Sequence, residues 1–86
     1  MVKIWAKIYR DKKIAKSLIY ERPEPFRTES MFSYLADICE QLDIPVPVLL
    51  STHTRHFSEF NNLRLRASAF VESVDFDCLQ LENIAE

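Results

Sequence analysis

The sequence predicts an α+β fold. It reads as a small, mostly antiparallel sheet, made of an N-terminal hairpin plus one or two C-terminal strands, with one principal helix and a shorter second helix on one face. Three observations predict it. Val2 to Arg10 alternates apolar and polar residues with the period of a strand. Met31 to Ile44 (MFSYLADICEQLDI) places Met31, Leu35, Ile38 and Leu42 at steps of three and four, which wind one stripe down a helix. Leu63 to Ala67 and Phe76 to Asn83 then return to strand-like patterns. A chain of 86 residues is one domain, residues 1–86, and at 48% hydrophobic it has enough apolar material for a core.

In the first strand Val2, Ile4, Ala6 and Ile8 share one face, and Lys3, Trp5, Lys7 and Tyr9 share the other. Asp11-Lys12-Lys13 is a turn and Ile14 to Glu21 a second strand. A two-residue turn would set Ile4, Ala6 and Ile8 on the face of Ala15, Ser17 and Ile19. A three-residue turn would set them with Ile14, Leu18 and Tyr20, with Ala6 opposite Leu18; this register gathers more apolar bulk on one side and is preferred. Arg22 to Thr28 is a connector, because Pro23 and Pro25 stop the strand.

Thr28 or Ser30 should cap the main helix, with Glu29 favourable at its positive end. Phe32, Ala36 and Cys39 lie beside the apolar stripe, while Tyr34, Asp37, Glu40, Gln41 and Asp43 take the water side. Asp43 ends the helix without a glycine, and Pro45 and Pro47 prevent it from continuing. Val46 to Leu50 is a third strand or a packed connection. Ser51 should cap a second helix from Thr52 to Phe60, with Phe57 and Phe60 facing inward, and Asn61-Asn62 replaces glycine at its exit. Ser68 to Val74 has the makings of one helical turn.

The net charge of −2 does not describe a dedicated nucleic-acid or membrane binder. The distribution is polarised, however. Residues 1–22 carry seven Lys or Arg against two acids, whereas residues 67–86 carry five acids and no Lys or Arg. The simplest arrangement lays the basic start beside the acidic end. Glycine is absent, so phosphate-cradling loops, dinucleotide-binding turns and nucleophile elbows cannot be built in their usual form. The start interrupts its apolar residues with lysines, holds no signal-peptide core, and leads to the expectation of a cytoplasmic protein. No run is long and apolar enough to span a membrane. Cys39 and Cys78 read as buried thiols; their spacing leaves a disulfide between them open.

Four constellations are candidates for chemistry. Lys3, Trp5, Lys7 and Tyr9 on one strand face form the candidate interaction surface, since rings interleaved with ammonium groups suit a partner protein or a single-stranded nucleic acid. Ser51, His53, His56 and Glu59 form a polar cluster in which two histidines one turn apart make half a metal site, lacking the remaining ligands. The same cluster has a serine near histidines but no orienting acid, so it is not a triad. Cys39, on the apolar stripe, is an inert core thiol. The acids Glu72, Asp75, Asp77, Glu82 and Glu86 read as a solvated face.

From end to end the chain resembles short bacterial proteins with a KIWA-type first strand, an LDIPVP junction and a closing VDFD strand. Here those are Lys3 to Ala6, Leu42 to Pro47 and Val74 to Leu81. The resemblance spans nearly the whole chain and brings no activity, cofactor or site residue with it. The leading functional reading is therefore a non-enzymatic cytoplasmic domain that binds a protein partner or a second copy of itself, as a homodimer. The alternative is a single-strand nucleic-acid binder using Lys3, Trp5, Lys7, Tyr9 and Lys16, and a third reading is metal-dependent activity at His53 and His56. No catalytic residue, metal ligand, cofactor or membrane partner is assigned.

Overall fold

The computed structural model describes residues 1–85. Glu86, the last acid of the tail, lies outside the described residues. Among the described residues the fold is α+β, with four antiparallel strands and two α-helices. The strands are β1 (Val2–Arg10), β2 (Lys13–Arg22), β3 (Asn62–Arg66) and β4 (Cys78–Asn83), in spatial order β2-β1-β4-β3. The helices, α1 (Met31–Leu42) and α2 (Ser51–Phe60), connect β2 to β3 and pack on one face of the sheet, α1 against β2 and α2 against β3. No helix among the described residues is long and apolar enough to cross a membrane.

The hairpin combines features of both registers. Asp11 and Lys12 form a two-residue turn, each with positive φ (54° and 66°), the backbone that matches the twist of a tight hairpin. Ala6 nevertheless faces Leu18, and Ile4 faces Tyr20, as the three-residue turn predicted. A bulge reconciles the two: Ile8 pairs with Lys16 and Tyr9 with Ile14, leaving Ala15 as the extra residue. The slip sends Ile14 to the face of Tyr9, half exposed, rather than to the core with Leu18 and Tyr20.

Helix α1 buries Met31, Leu35, Ile38 and Leu42 as the stripe requires, and Cys39 with them. Two residues depart from expectation. Tyr34 is fully buried, whereas Phe32 is 58% exposed. Position 34 lies three residues beyond Met31 and four before Ile38, so the helical pitch puts it on the stripe. Its hydroxyl, which had suggested the water side, accepts the Arg27 backbone N–H at 3.1 Å and is thereby satisfied. Its ring lies 5.5 Å from Phe26, which lies 5.7 Å from Phe57, so one aromatic row joins the two helices across the proline connector.

The caps are made differently from the sequence expectation. Ser30 occupies the N-cap of α1 without a side-chain bond, after a single 3₁₀ turn over Thr28–Ser30. Asp43 adopts the left-handed conformation in glycine's place; its N–H and that of Ile44 close the last turn on Cys39 and Glu40 carbonyls. Lys16 reaches across from β2 and donates to the Leu42 carbonyl at 3.2 Å, a cation on the negative end of α1. Helix α2 begins at Ser51 rather than being capped by it. The Leu50 N–H donates to His53 Nδ1 while the His53 N–H donates to the Leu50 carbonyl. Asn61 exits in the left-handed conformation as expected. Val46 to Leu50 is a packed connection, tied by Val48 N–H to the Ala69 carbonyl.

Strands β3 and β4 are separated by a long return that includes a 3₁₀ turn at Ala67–Ala69, and β4 inserts beside β1 at the centre of the sheet. That placement brings the basic start against the acidic end. Arg10 pairs with Asp75 at 2.9 Å, Lys7 lies 3.7 Å from Glu82, and the Asp77 carboxylate accepts the Asp11 N–H at the hairpin turn. The exposed Arg10–Asp75 pair contributes little to stability by itself; Asp77 organises the turn.

Candidate interaction surface

With both helices on one side, the other face of the sheet is uncovered. Strand alternation and register determine what it presents. Across the strands, Trp5 sits between Ile19 and Glu82, Lys7 between Ser17 and Gln80, and Tyr9 between Ile14 and Cys78. Beyond β4, the same rows end at Asn62, Arg64 and Arg66. Lys3, Trp5, Lys7 and Tyr9 are therefore brought together on the open face. Ile14, Ile19, Arg64 and Arg66 complete it. Those four were not legible as members because pairing register, not local pattern, puts them there.

Lys7 is the unusual member. It is only 6% exposed, its Nζ stands 3.9 Å from the centroid of the Trp5 ring, and the Glu82 carboxylate lies 3.7 Å from it. A buried ammonium needs both contacts: the carboxylate offsets its charge, and the ring face offers the negative pole of its quadrupole. One face of the Trp5 ring is thus occupied within the molecule. Ile14 and Ile19, by contrast, are 50% and 44% exposed.

Cys78 also points toward this face, opposite Tyr9, while Cys39 lies in the helix layer under the other. The sheet separates them, and both are free thiols. Burial pushes the Cys39 thiol up to about 11 from an ordinary 9.0. Tyr20 is pushed up to about 12 by burial first and then by its hydrogen bond to Asp37. A pKa raised by folding stabilises the protein fully below the unfolded value and loses that contribution as pH rises through the folded one. Wild type should therefore lose stability relative to Cys39→Ala by about 1–2 kcal/mol as pH rises from 9 to 11. Urea midpoints of the two proteins across that window measure it. A constant difference would mean that Cys39 ionises freely in the fold.

The Ser51, His53, His56 and Glu59 cluster does not assemble. Ser51 and Glu59 line one flank of α2, a groove of 610 Å³ shared with Phe32 of α1, while His53 and His56 face β3 on the other flank. The Nδ1 of His53 accepts the Leu50 N–H, and the His56 ring lies 4.7 Å from that of Phe60. Among the described residues no group of three His, Cys, Asp or Glu side chains is placed to hold a metal ion. The groove itself is walled by Met31, Phe32 and Leu49 and bridged by a Thr28–Ser58 hydroxyl contact at 3.0 Å, with no nucleophile and base side by side. Compared with family models, with curated proteins and with solved structures, the chain matches none.

Proposed function

We propose that this chain is a non-enzymatic, cytoplasmic interaction domain that self-associates through the open face of its sheet. The observation that carries the reading is the row of Ile14, Ile19, Trp5 and Tyr9 on a face that no helix covers. Two such apolar pairs, Trp5 with Ile19 and Tyr9 with Ile14, flank the Lys7–Ser17 row, and apolar side chains grouped on an open face support a docking role. The position of Lys7 supports a protein partner over a nucleic acid. A base stacking on Trp5 would have to displace the ammonium from one ring face, and that ammonium is already matched by Glu82 instead of being free for phosphate. Lys16, the fifth residue of the nucleic-acid alternative, is spent on the Leu42 carbonyl.

Sedimentation velocity over roughly a hundredfold range of concentration tests the reading through mass action. Wild type should sediment as a dimer at the upper end, with Trp5 emission shifting blue as it associates. Ile19→Asp, at a half-exposed site that the fold does not need, should remain monomeric. A wild-type monomer throughout, with unchanging Trp5 emission, overturns it.

A further inference from the structure

The sheet has a free edge on its β3 side. β3 is the outermost strand on its side and pairs with β4 alone. Asn61 and Ala67 direct backbone groups to β4, through Asn83 N–H to the Asn61 carbonyl and Ala67 N–H to the Asp77 carbonyl. Odd-numbered residues of β3 thus face β4. By antiparallel alternation, the N–H and C=O groups of Asn62, Arg64 and Arg66 face away from it. The strand therefore offers an alternating row of donors and acceptors with no strand beside them.

The space next to that row is already shaped. Two adjoining clefts of 400 and 330 Å³ run along the β3 edge beside α2, a third of 310 Å³ continues from them between Val48, Leu50 and the 68–71 segment, and His53 lines all three. Helix α2 packs against β3, and the 400 Å³ cleft lies between residues of the two. A trench results where a fifth strand would lie. Its wall on the helix side carries the exposed apolar residues Val48 and Leu50, and its remaining charged and titratable lining is His53, His56, Arg64 and Arg66, with no carboxylate among them.

We infer that the β3 edge binds an extended, acidic polypeptide segment as a fifth strand of the sheet. Strand addition satisfies the main-chain groups, and the alternation of the added strand divides its side chains between two environments. One row stands on the open face beside Arg64 and Arg66, where carboxylates find cations. The other row turns under α2 toward Val48, Leu50 and His53, where small apolar side chains fit. A second copy of this chain is a poor occupant, because antiparallel pairing of β3 with itself sets arginine opposite arginine. A phosphodiester backbone is poorer still: its phosphates only accept hydrogen bonds, so the edge carbonyls would stay unpaired.

The experiment uses three fluorescein-labelled peptides and the full chain, read by fluorescence anisotropy at low salt. A short peptide alternating glutamate with valine should bind. Its lysine–valine counterpart should bind at least about tenfold more weakly, and so should a glutamate–valine peptide N-methylated at alternate residues, whose charge is intact but whose strand hydrogen bonds are blocked. In ¹⁵N spectra of the unlabelled complex, the Asn62, Arg64 and Arg66 amides should shift most. Arg64→Glu with Arg66→Glu should lose binding by a similar factor, and the N-methyl comparison, which uses wild type alone, covers the case in which that variant does not fold. Equal binding of the N-methylated peptide, shifts centred away from β3, no binding of the glutamate–valine peptide, or displacement by a poly-pyrimidine oligonucleotide each overturns the inference. Ile19→Asp should retain peptide binding, so failure of the edge site and failure of self-association through the open face are told apart.

Discussion

Replacing Leu35 by alanine is expected to cost about 2–5 kcal/mol. Leu35 is fully buried at the middle of α1, on the stripe that also carries Met31, Ile38 and Leu42. The change removes most of an aliphatic side chain from a close-packed layer, so the loss combines the transfer free energy of the missing carbons with the cavity they leave. An 86-residue domain has a total stability of roughly 4–13 kcal/mol. This one substitution therefore removes a large share of it and brings the weaker end of that range close to unfolding at room temperature. Urea denaturation followed by far-UV circular dichroism measures it, with a lower midpoint and an unchanged slope if the native and unfolded states keep their exposed surface. A loss below about 1 kcal/mol would mean that α1 does not pack on the sheet as described.

Phe57→Ala should cost about 3–5 kcal/mol, while Phe60→Ala should stay within about 0.5 kcal/mol. The pair separates two residues that the sequence treats alike. Both lie on α2, one turn apart, and both were expected to face inward. Phe57 is fully buried, with its ring 5.7 Å from Phe26, and it ends the aromatic row that ties α2 to α1 through Tyr34. Phe60 is 58% exposed at the last position of the helix, its ring beside His56. A residue three positions on is rotated 300° about an ideal helix, 60° short of a full turn. That offset is small on a broad face but decisive on α2, which is narrow in its contact and buries Phe57 alone. Thermal unfolding of the two variants beside wild type reads the difference directly. Comparable losses at both sites would show that α2 buries a wider face.

The candidate surfaces depend on charges whose partners are as informative as their positions. Lys7 and Lys16 are both lysines of the N-terminal hairpin and both were candidates for contacts with a ligand. The fold uses Lys16 to close α1 and holds Lys7 between Trp5 and Glu82. What remains free on the uncovered face is apolar near β2 and cationic near β3. The proposed self-association rests on the first region and the proposed acidic partner on the second.

By itself the sequence determined the fold class and placed the four strands and two α-helices to within a few residues, though not the 3₁₀ turn at Thr28–Ser30. Alternation over Val2 to Arg10 and three-four steps over Met31 to Leu42 are consequences of backbone period, and period is written locally. It also determined the membership of the Lys3, Trp5, Lys7 and Tyr9 face and the identity of Leu35 and Ile38 as core residues. The left-handed exit at Asn61 was legible because asparagine substitutes for glycine in a chain that has none, whereas Asp43 was legible only as the end of α1 and its left-handed backbone was not. The tertiary structure alone decided the rest, because it depends on contacts between residues distant in sequence. Tyr34 could go inside only because Arg27, across the connector, supplies a backbone donor to its hydroxyl. The bulge at Ala15 could be used because the sheet rewards Leu18 and Tyr20 on the core side more than it penalises Ile14 on the other. Arg64, Arg66 and the free edge of β3 became a candidate site only when β4 inserted at the centre and left β3 outermost. Strand order is a choice among long-range pairings with similar local patterns, and it is resolved by how the whole core packs.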